Sequence, residues 1–586
     1  MFTITTLIAS SIFAVDIRVN QVLPENTIAF ASVENVAELL SNVEQMGVAD
    51  MACDIAQAIG LSESMNSGDS CPIALTCADL TRSLGEDGEC SIPTGHAGWG
   101  LYPVVDYEVG SVGLGMFAMV ELGKSKIGDT MLEAFTKYSD STDVEVETID
   151  ISGRSIWLVQ NEFEIPTDAL PIMVDLTSLS QLYFAITDGY FLFGTEPEGF
   201  ASVFSAIDGN PIDDTLASSE VYTALMQRCE NDSNAKAGLL LTNLADTFLQ
   251  MDTSGMGMMI LPMAKSLFGD IDGIAETINF SPSEDVLFSG KYAIQMDGGR
   301  DGLMGLVSSE SPVGPIPSFV GENTISYSQN SIEFSNVVPL VKEIIASNPL
   351  LAMQMNPQMM QQIESGISMY FSTLGTETHV IFTGSEPYTG DSVGYMIAVE
   401  CTDENTLSNV LGMTMPSLGA TPNDFLGNQI FTVDFNSGMM MPIDLSFSIA
   451  VGGGYMFAGD QQAVENALRA IANPKDANSG HGLNAAASML NHDVVSGWGY
   501  GNMSDSIKAQ AAVMKELQGM SEEMLLQVEE FDPEMAAEMR ADAEQGKALQ
   551  SALLTTMANF FGPMAWSCNA DDTGFTAEFL MLKPAM

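Results

Sequence analysis

Glu25-Asn26-Thr27-Ile28 recurs as Glu322-Asn323-Thr324-Ile325, and Gly115-Met116-Phe117-Ala118-Met119-Val120-Glu121 recurs as Gly394-Tyr395-Met396-Ile397-Ala398-Val399-Glu400. Three further matches follow in the same order: Gly153 and Ile156 with Gly427 and Ile430; Gly189-Tyr190 and Gly194 with Gly454-Tyr455 and Gly459; Gly238, Asn243 and Asp246 with Gly497, Asn502 and Asp505. The separation between partners falls steadily from 297 to 259 residues, as it should if the first copy carries extra loop residues, whereas chance matches would scatter. Two copies are too few for a solenoid. The reading is a chain written twice, residues 20–315 and 316–586, folded as two similar domains or one pseudo-symmetric body.

Within a copy, Leu23-Pro24-Glu25-Asn26 opens a strand through Ile28 and Phe30, and Val36, Leu39, Leu40 and Val43 then share one helical face. Residues 98–105 and 114–122 read as strands, followed by a helix through Met131, Leu132 and Phe135. Glu145 and Glu147 alternate with Val144 and Val146 in a strand that turns at Ser152-Gly153 into Ile156-Trp157-Leu158-Val159. Asp188-Gly189, with Gly453-Gly454 in the second copy, is a strong hairpin turn because both positions accept positive φ. Each copy closes with a Met-rich helical section and a last hairpin, in which Phe288, Tyr292 and Ile294 match Phe575, Phe579 and Met581. The second copy has the longer helical section, 505–561, and the stretch with Pro312, Pro315 and Pro317 reads as the linker. Runs of hairpin-joined strands interrupted by helices imply an α+β fold with largely antiparallel sheets and packed helices, since a parallel sheet needs a helix at nearly every crossing.

The 586 residues hold 77 Asp and Glu against 19 Lys and Arg, a formal net charge of −58, although only 16% of residues are charged. That field repels nucleic acid and anionic headgroups, so nucleic-acid binding is excluded as a function. With 46% hydrophobic residues the chain reads as folded, and weak divalent-cation binding by surface carboxylates fits the same charge.

Residues 1–19 begin with the uncharged apolar run Met1 to Ala14 and have no base before Arg18. The run is too short to span a bilayer and reads as a signal-like segment, with a buried first strand as the alternative. No other stretch reaches transmembrane length without a charge, Gly or Pro, so the mature chain is expected to have no transmembrane helix. Cys53, Cys71, Cys77 and Cys90 crowd into an insert at 53–90 that the second copy lacks. They read as two disulfides in any of three pairings, with a zinc site as the competitor despite the absence of a Cys-x-x-Cys pair. Cys229, Cys401 and Cys568 read as separate buried thiols. Together these features place the protein outside the cytoplasm, in the periplasm, envelope or extracellular space.

Enzyme signatures are sparse. There is no His-Glu-x-x-His, Gly-x-Ser-x-Gly or P-loop sequence, and His96, His379, His481 and His492 are the only histidines. The glycines of Gly113-Leu114-Gly115 enter a strand, whereas dinucleotide binding needs them to leave one and open a helix. Asp270-Ile271-Asp272-Gly273 and Asp297-Gly298-Gly299-Arg300-Asp301-Gly302 resemble fragments of calcium loops without the full ligand series, and read as hairpin turns. Of 39 methionines, clusters fall at Met256 to Met263, Met353 to Met360 and Met439 to Met441. Thioethers could hold copper(I) or form an adaptable groove, but the helical spacing of Met355, Met359, Ile363 and Ile367 favours helix cores. No catalytic, cofactor or metal residue is assigned.

The opening Leu23 to Leu40, with its Leu-Pro-x-x-Thr strand leading into an Asn-Val-Ala-x-Leu helix, resembles the start of planctomycete-type exported proteins of the unknown-function family numbered 3352. The hairpin and helix at Gly189 to Ile207 look similar too. The chain departs from the pattern in its cysteine insert and in Gly321, which stands where the motif has proline. The resemblance implies export and a duplicated α+β body, and offers no catalytic residues. The function expected is a non-enzymatic binding or structural protein of the bacterial cell envelope, acting on a protein, glycan or apolar ligand through a surface or groove formed between the repeats. A hydrolase built on an unrecognised Asp/Glu site is the alternative.

Overall fold

The computed structural model describes residues 17–47, 93, 95–106, 111–123, 146–160, 181–229, 233–308, 311–474, 494–514 and 553–584, less 253–254, 256, 281–284, 313–315, 349–350, 352, 354, 390–391 and 435–445. The cysteine insert, His481, His492, Met439 to Met441, the expected helix through Met131 and most of 505–561 lie outside the described residues, as does the apolar run Met1 to Ala14.

The fold is α+β, built on one 20-stranded antiparallel sheet. Ten strands come from the first part of the chain: β1 (Ala29–Val33), β2 (Ala97–Asp106), β3 (Ser111–Glu121), β4 (Val146–Ile151), β5 (Arg154–Gln160), β6 (Gln181–Thr187), β7 (Tyr190–Gly194), β8 (Ala235–Leu240), β9 (Gly273–Asn279) and β10 (Val286–Gln295). Ten more follow: β11 (Thr324–Ser331), β12 (Leu374–Gly384), β13 (Val393–Cys401), β14 (Thr421–Phe425), β15 (Asn428–Asp434), β16 (Ser446–Gly452), β17 (Tyr455–Gly459), β18 (Gly497–Asn502), β19 (Pro563–Asp571) and β20 (Gly574–Leu582). From one edge the order is β4-β5-β6-β7-β3-β2-β1-β8-β9-β10, and it continues through β20-β19-β18-β11-β12-β13-β17-β16-β15-β14 to the other. The expected linker contributes a two-residue ladder, Ser311–Pro312 against Val494–Val495.

Local chemistry sets the hairpins. Asp188 and Gly189 both take positive φ (49° and 84°), as do Gly453 and Gly454 (62° and 87°). That geometry lets a two-residue turn match the right-handed twist of its flanking strands. After β1, the Asn35 side chain accepts from the Glu38 amide and starts α1 (Val36–Gln45). Where β7 ends, Thr195 Oγ1 accepts from the Met116 amide at 2.9 Å, and Pro197 opens α2 (Pro197–Ile207). After β17, Asp460 accepts from the Tyr395 amide in the same manner, ahead of α9 (Gln461–Ala472).

Alternation along the strands divides the sheet into two faces. Phe30, Phe117, Met119 and Leu192 face a core capped by Phe200, Val203 and Phe204 of α2. Phe117 meets Phe200 edge-on, with centroids 5.4 Å apart, and Gly199 leaves room for its ring. In the second set of strands, Met396, Ile430, Ala450 and Phe457 form the matching layer against Val464, Ala467 and Leu468 of α9. Ile17 and Val19 are core residues, and the Val19 amide donates to His96 Nε2.

β10 and β20 join the two sets, with Lys291 opposite Glu578 and their side chains paired at 2.9 Å. α3 (Glu220–Cys229) packs on β9 and β10 and sends Arg228 across the junction to both carboxylate oxygens of Asp571, at 2.7 and 2.9 Å. This fork and the Thr573 amide hold the Asp571 carboxyl at about 2. Because the folded value is depressed, the stabilisation is complete above the ordinary Asp range and is lost as pH falls through about 2. Arg228→Met should therefore cost about 1 kcal/mol at neutral pH. It should also flatten the loss of stability between about pH 4 and 2, measured by urea titration at stepped pH.

Candidate functional site: an apolar groove on the open sheet face

On the face away from α2, five adjacent strands present two cross-strand rows. Val120, Ala97, Val33, Ala235 and Ile278 form one row; Ala118, Trp99, Ala31, Ala237 and Glu276 form the other. Alanines flank Val33 in the first row and lie between Trp99 and Glu276 in the second, and the rows bound a groove of roughly 370 Å³. That lies within the size range of small-molecule sites. Trp99 forms one bank and is 42% exposed, high for an indole on a sheet.

Glu276 is the one ionisable side chain in these rows. It makes no ion pair or side-chain hydrogen bond among the described residues, and burial alone raises its carboxyl above the ordinary range. Tyr292 of β10 lies next to it across the strand pair and has its own hydroxyl raised, first by burial and then by the Glu276 charge. Lys236, between Ala235 and Ala237, pairs with Glu34 at 2.9 Å.

The second set of strands presents the same face differently. Trp566 of β19 lies across Gly499 of β18, so close that a Cβ there would sit 2.5 Å from the indole ring.

The sequence candidates are distributed elsewhere. His379 is fully buried on the helix-covered face, where Tyr327 Oη lies 3.0 Å from its Nδ1 and Phe319 meets the ring edge-on. Trp498 Nε1 donates to Gln329 Oε1 at 2.9 Å beside it. Glu377 Oε1 lies 2.9 Å from the other ring nitrogen, Nε2, so the imidazole sits inside a buried polar cluster closed off from solvent. His96 is likewise buried. The two calcium-loop fragments come together, but neither is the expected hairpin turn: one joins the helix Gly257–Phe268 to β9, the other joins β10 to the 3-10 helix Gly302–Leu306. Asp272 accepts from the Asp297 amide, Asp301 from the Asp270 amide, and Lys265 pairs with Asp270. Among the described residues no group of three or more His, Cys, Asp or Glu side chains could hold a metal ion, and no helix is long and apolar enough to cross a membrane. The first methionine cluster lies beside the helix that precedes the second. α5 (Gly257–Phe268) packs on α6 (Val337–Ser347), and Asn348 Nδ2 approaches Met263 Sδ at 3.6 Å, leaving Met258 and Met353 largely exposed.

The groove was missed from sequence because its lining comes from five segments between Ala31 and Ile278, each reading as an ordinary strand. The available signal was Glu276, a charge at a strand position otherwise flanked by Ile274 and Ile278 on the same face. Searches of family models, curated proteins and solved structures found no match to this chain.

Proposed function

We propose that the protein is an exported, non-enzymatic binding protein of the cell envelope whose groove takes a small, largely apolar ligand. The observation that carries this reading is the groove's composition: two rows of apolar side chains with one carboxyl. Nucleophilic or general acid–base work calls for cooperating groups, a base near a nucleophile or an acid paired with a base, and Glu276 stands alone in these rows. An apolar lining with one or two polar groups suits binding. Glycan recognition would call for many more hydrogen-bonding groups than the groove offers.

Native mass spectrometry of the protein purified from its own envelope tests the reading. The expected result is a discrete added mass that disappears in Ala237→Leu, a variant that fills the groove floor. A chain of unmodified mass in the native protein, together with no Trp99 fluorescence response to an apolar probe, would overturn it.

The two sets of ten strands are, in this reading, copies of one unit. The support lies in order and register. Outward from the junction, the first set runs β10-β9-β8-β1-β2-β3-β7-β6-β5-β4, and the second runs through the corresponding strands, each ten numbers higher. If Ala29 is laid on Ser326 and the pairings are followed strand by strand, Gly115 falls on Gly394, Gly153 on Gly427, Gly194 on Gly459 and Phe288 on Phe575. Those are the matches the residues suggest on their own. One match shifts: Gly238 falls on Tyr500 and not Gly497. Under the same alignment Lys291 meets its own counterpart, Glu578, and Glu276 corresponds to Trp566. The position that a tryptophan fills in one copy is thus held by the groove carboxyl in the other.

A further inference from the structure

We infer that the ligand of this groove carries an organic ammonium group, held at Glu276, on an apolar body that lies across the strands toward Trp99. The inference rests on the groove reading above and adds the ligand's charge and direction.

Glu276, Ala237, Ala31 and Trp99 occupy successive strands of one row, β9, β8, β1 and β2. Three strand spacings separate the ends, roughly 14 Å. A ligand filling the row therefore meets the carboxylate at one end, small alanines along its length and an indole at the other. A carboxylate partly withdrawn from water without a partner is costly, and an ammonium donating to it offsets that cost with a charge-assisted hydrogen bond. Burial, the cause of Glu276's raised carboxyl, is what makes such a partner favourable.

Long-range electrostatics point the same way. With 77 acidic against 19 basic residues, the surface potential concentrates cations and repels anionic amphiphiles such as fatty acids. A carboxylate-bearing ligand would meet repulsion during approach and again at Glu276. Trp99, exposed at the far bank, suits an apolar tail.

The test compares n-decylammonium, n-decanol and n-decanoate below their aggregation concentrations, followed by Trp99 fluorescence and calorimetry. Decylammonium should bind saturably and most tightly, decanol more weakly and decanoate least. Glu276→Gln keeps the shape of the side chain and removes one of 77 carboxyl-bearing residues, so nonspecific attraction to the acidic surface persists in the variant. It should weaken decylammonium by about tenfold or more and leave decanol unchanged. Trp99→Phe should remove the fluorescence response while calorimetric binding continues.

The ammonium inference falls if all three compounds bind alike, or if Glu276→Gln weakens decylammonium and decanol equally. The groove reading itself falls if none of the three binds saturably, or if Ala237→Leu, folded by its unchanged thermal transition, binds all three as the native protein does.

Discussion

Gly574→Ala is expected to destabilise the protein by about 3 kcal/mol, combining backbone strain with overpacking at the seam between the two sets of strands. Gly574 opens β20 at a φ of 146°, and a Cβ there would lie 2.0 Å from the Ile294 carbonyl oxygen of β10. Neither partner is a side chain that can swing away. Relief requires the β10–β20 pair to part at Gln295–Gly574, where the next hydrogen bond runs from the Met296 amide to the Thr573 carbonyl. Thr573 and Asp571 also receive Arg228, so moving this turn loosens the ion pair from α3 as well. Gly153→Ala is the control. Its φ is 79°, yet nothing lies within 4 Å of the added Cβ, so the cost should be about 1 kcal/mol of strain. Urea denaturation of both variants checks the difference; equal midpoints would mean that the seam yields easily.

Phe117→Ala should cost about 3–5 kcal/mol, the range for emptying a fully buried aromatic position. Its ring is inaccessible to solvent, meets Phe200 edge-on and lies over Gly199 of α2. The space it leaves cannot close easily, because α2 is tied to β3 by the Thr195–Met116 bond at one end and by Phe200, Val203 and Phe204 along its buried face. Phe117→Leu should recover more than half of the loss, since most of the buried volume returns. The next residue, Ala118, faces the groove, so thermal melts of Phe117→Ala with and without decylammonium also report how firmly the groove floor depends on the core beneath it. A loss below about 1 kcal/mol would contradict the packing described.

Local features of the fold were legible before any tertiary contact was known. Asp188-Gly189 and Gly453-Gly454 form the expected hairpin turns, and Ser152-Gly153 turns β4 into β5 with φ of 54° and 79°. The expected strand at 98–105 is β2, and the helix expected after the Gly189 hairpin is Pro197–Ile207. These signals depend on a few adjacent residues, so a short window contains them. β8 ends at Leu240, and Leu241 and Thr242 already belong to α4 (Leu241–Met251). An apolar run of that length suits either structure, and packing decides.

The sequence by itself determined the hairpins, the strand-to-helix transitions, the alternation that gives each strand a core face, and the strongly acidic charge. Tertiary structure alone decided that β7 lies beside β3, that β8 lies beside β1, and that β10 meets β20 across the middle of one sheet. It also decided that Ala31, Ala97, Ala118, Ala235 and Ala237 share a face with Trp99 and Glu276. Turn and helix preferences act between near neighbours in the chain, but a groove is a property of side chains from distant segments. The alanines of β1 become its floor only because backbone hydrogen bonds align them with strands that begin dozens to hundreds of residues later.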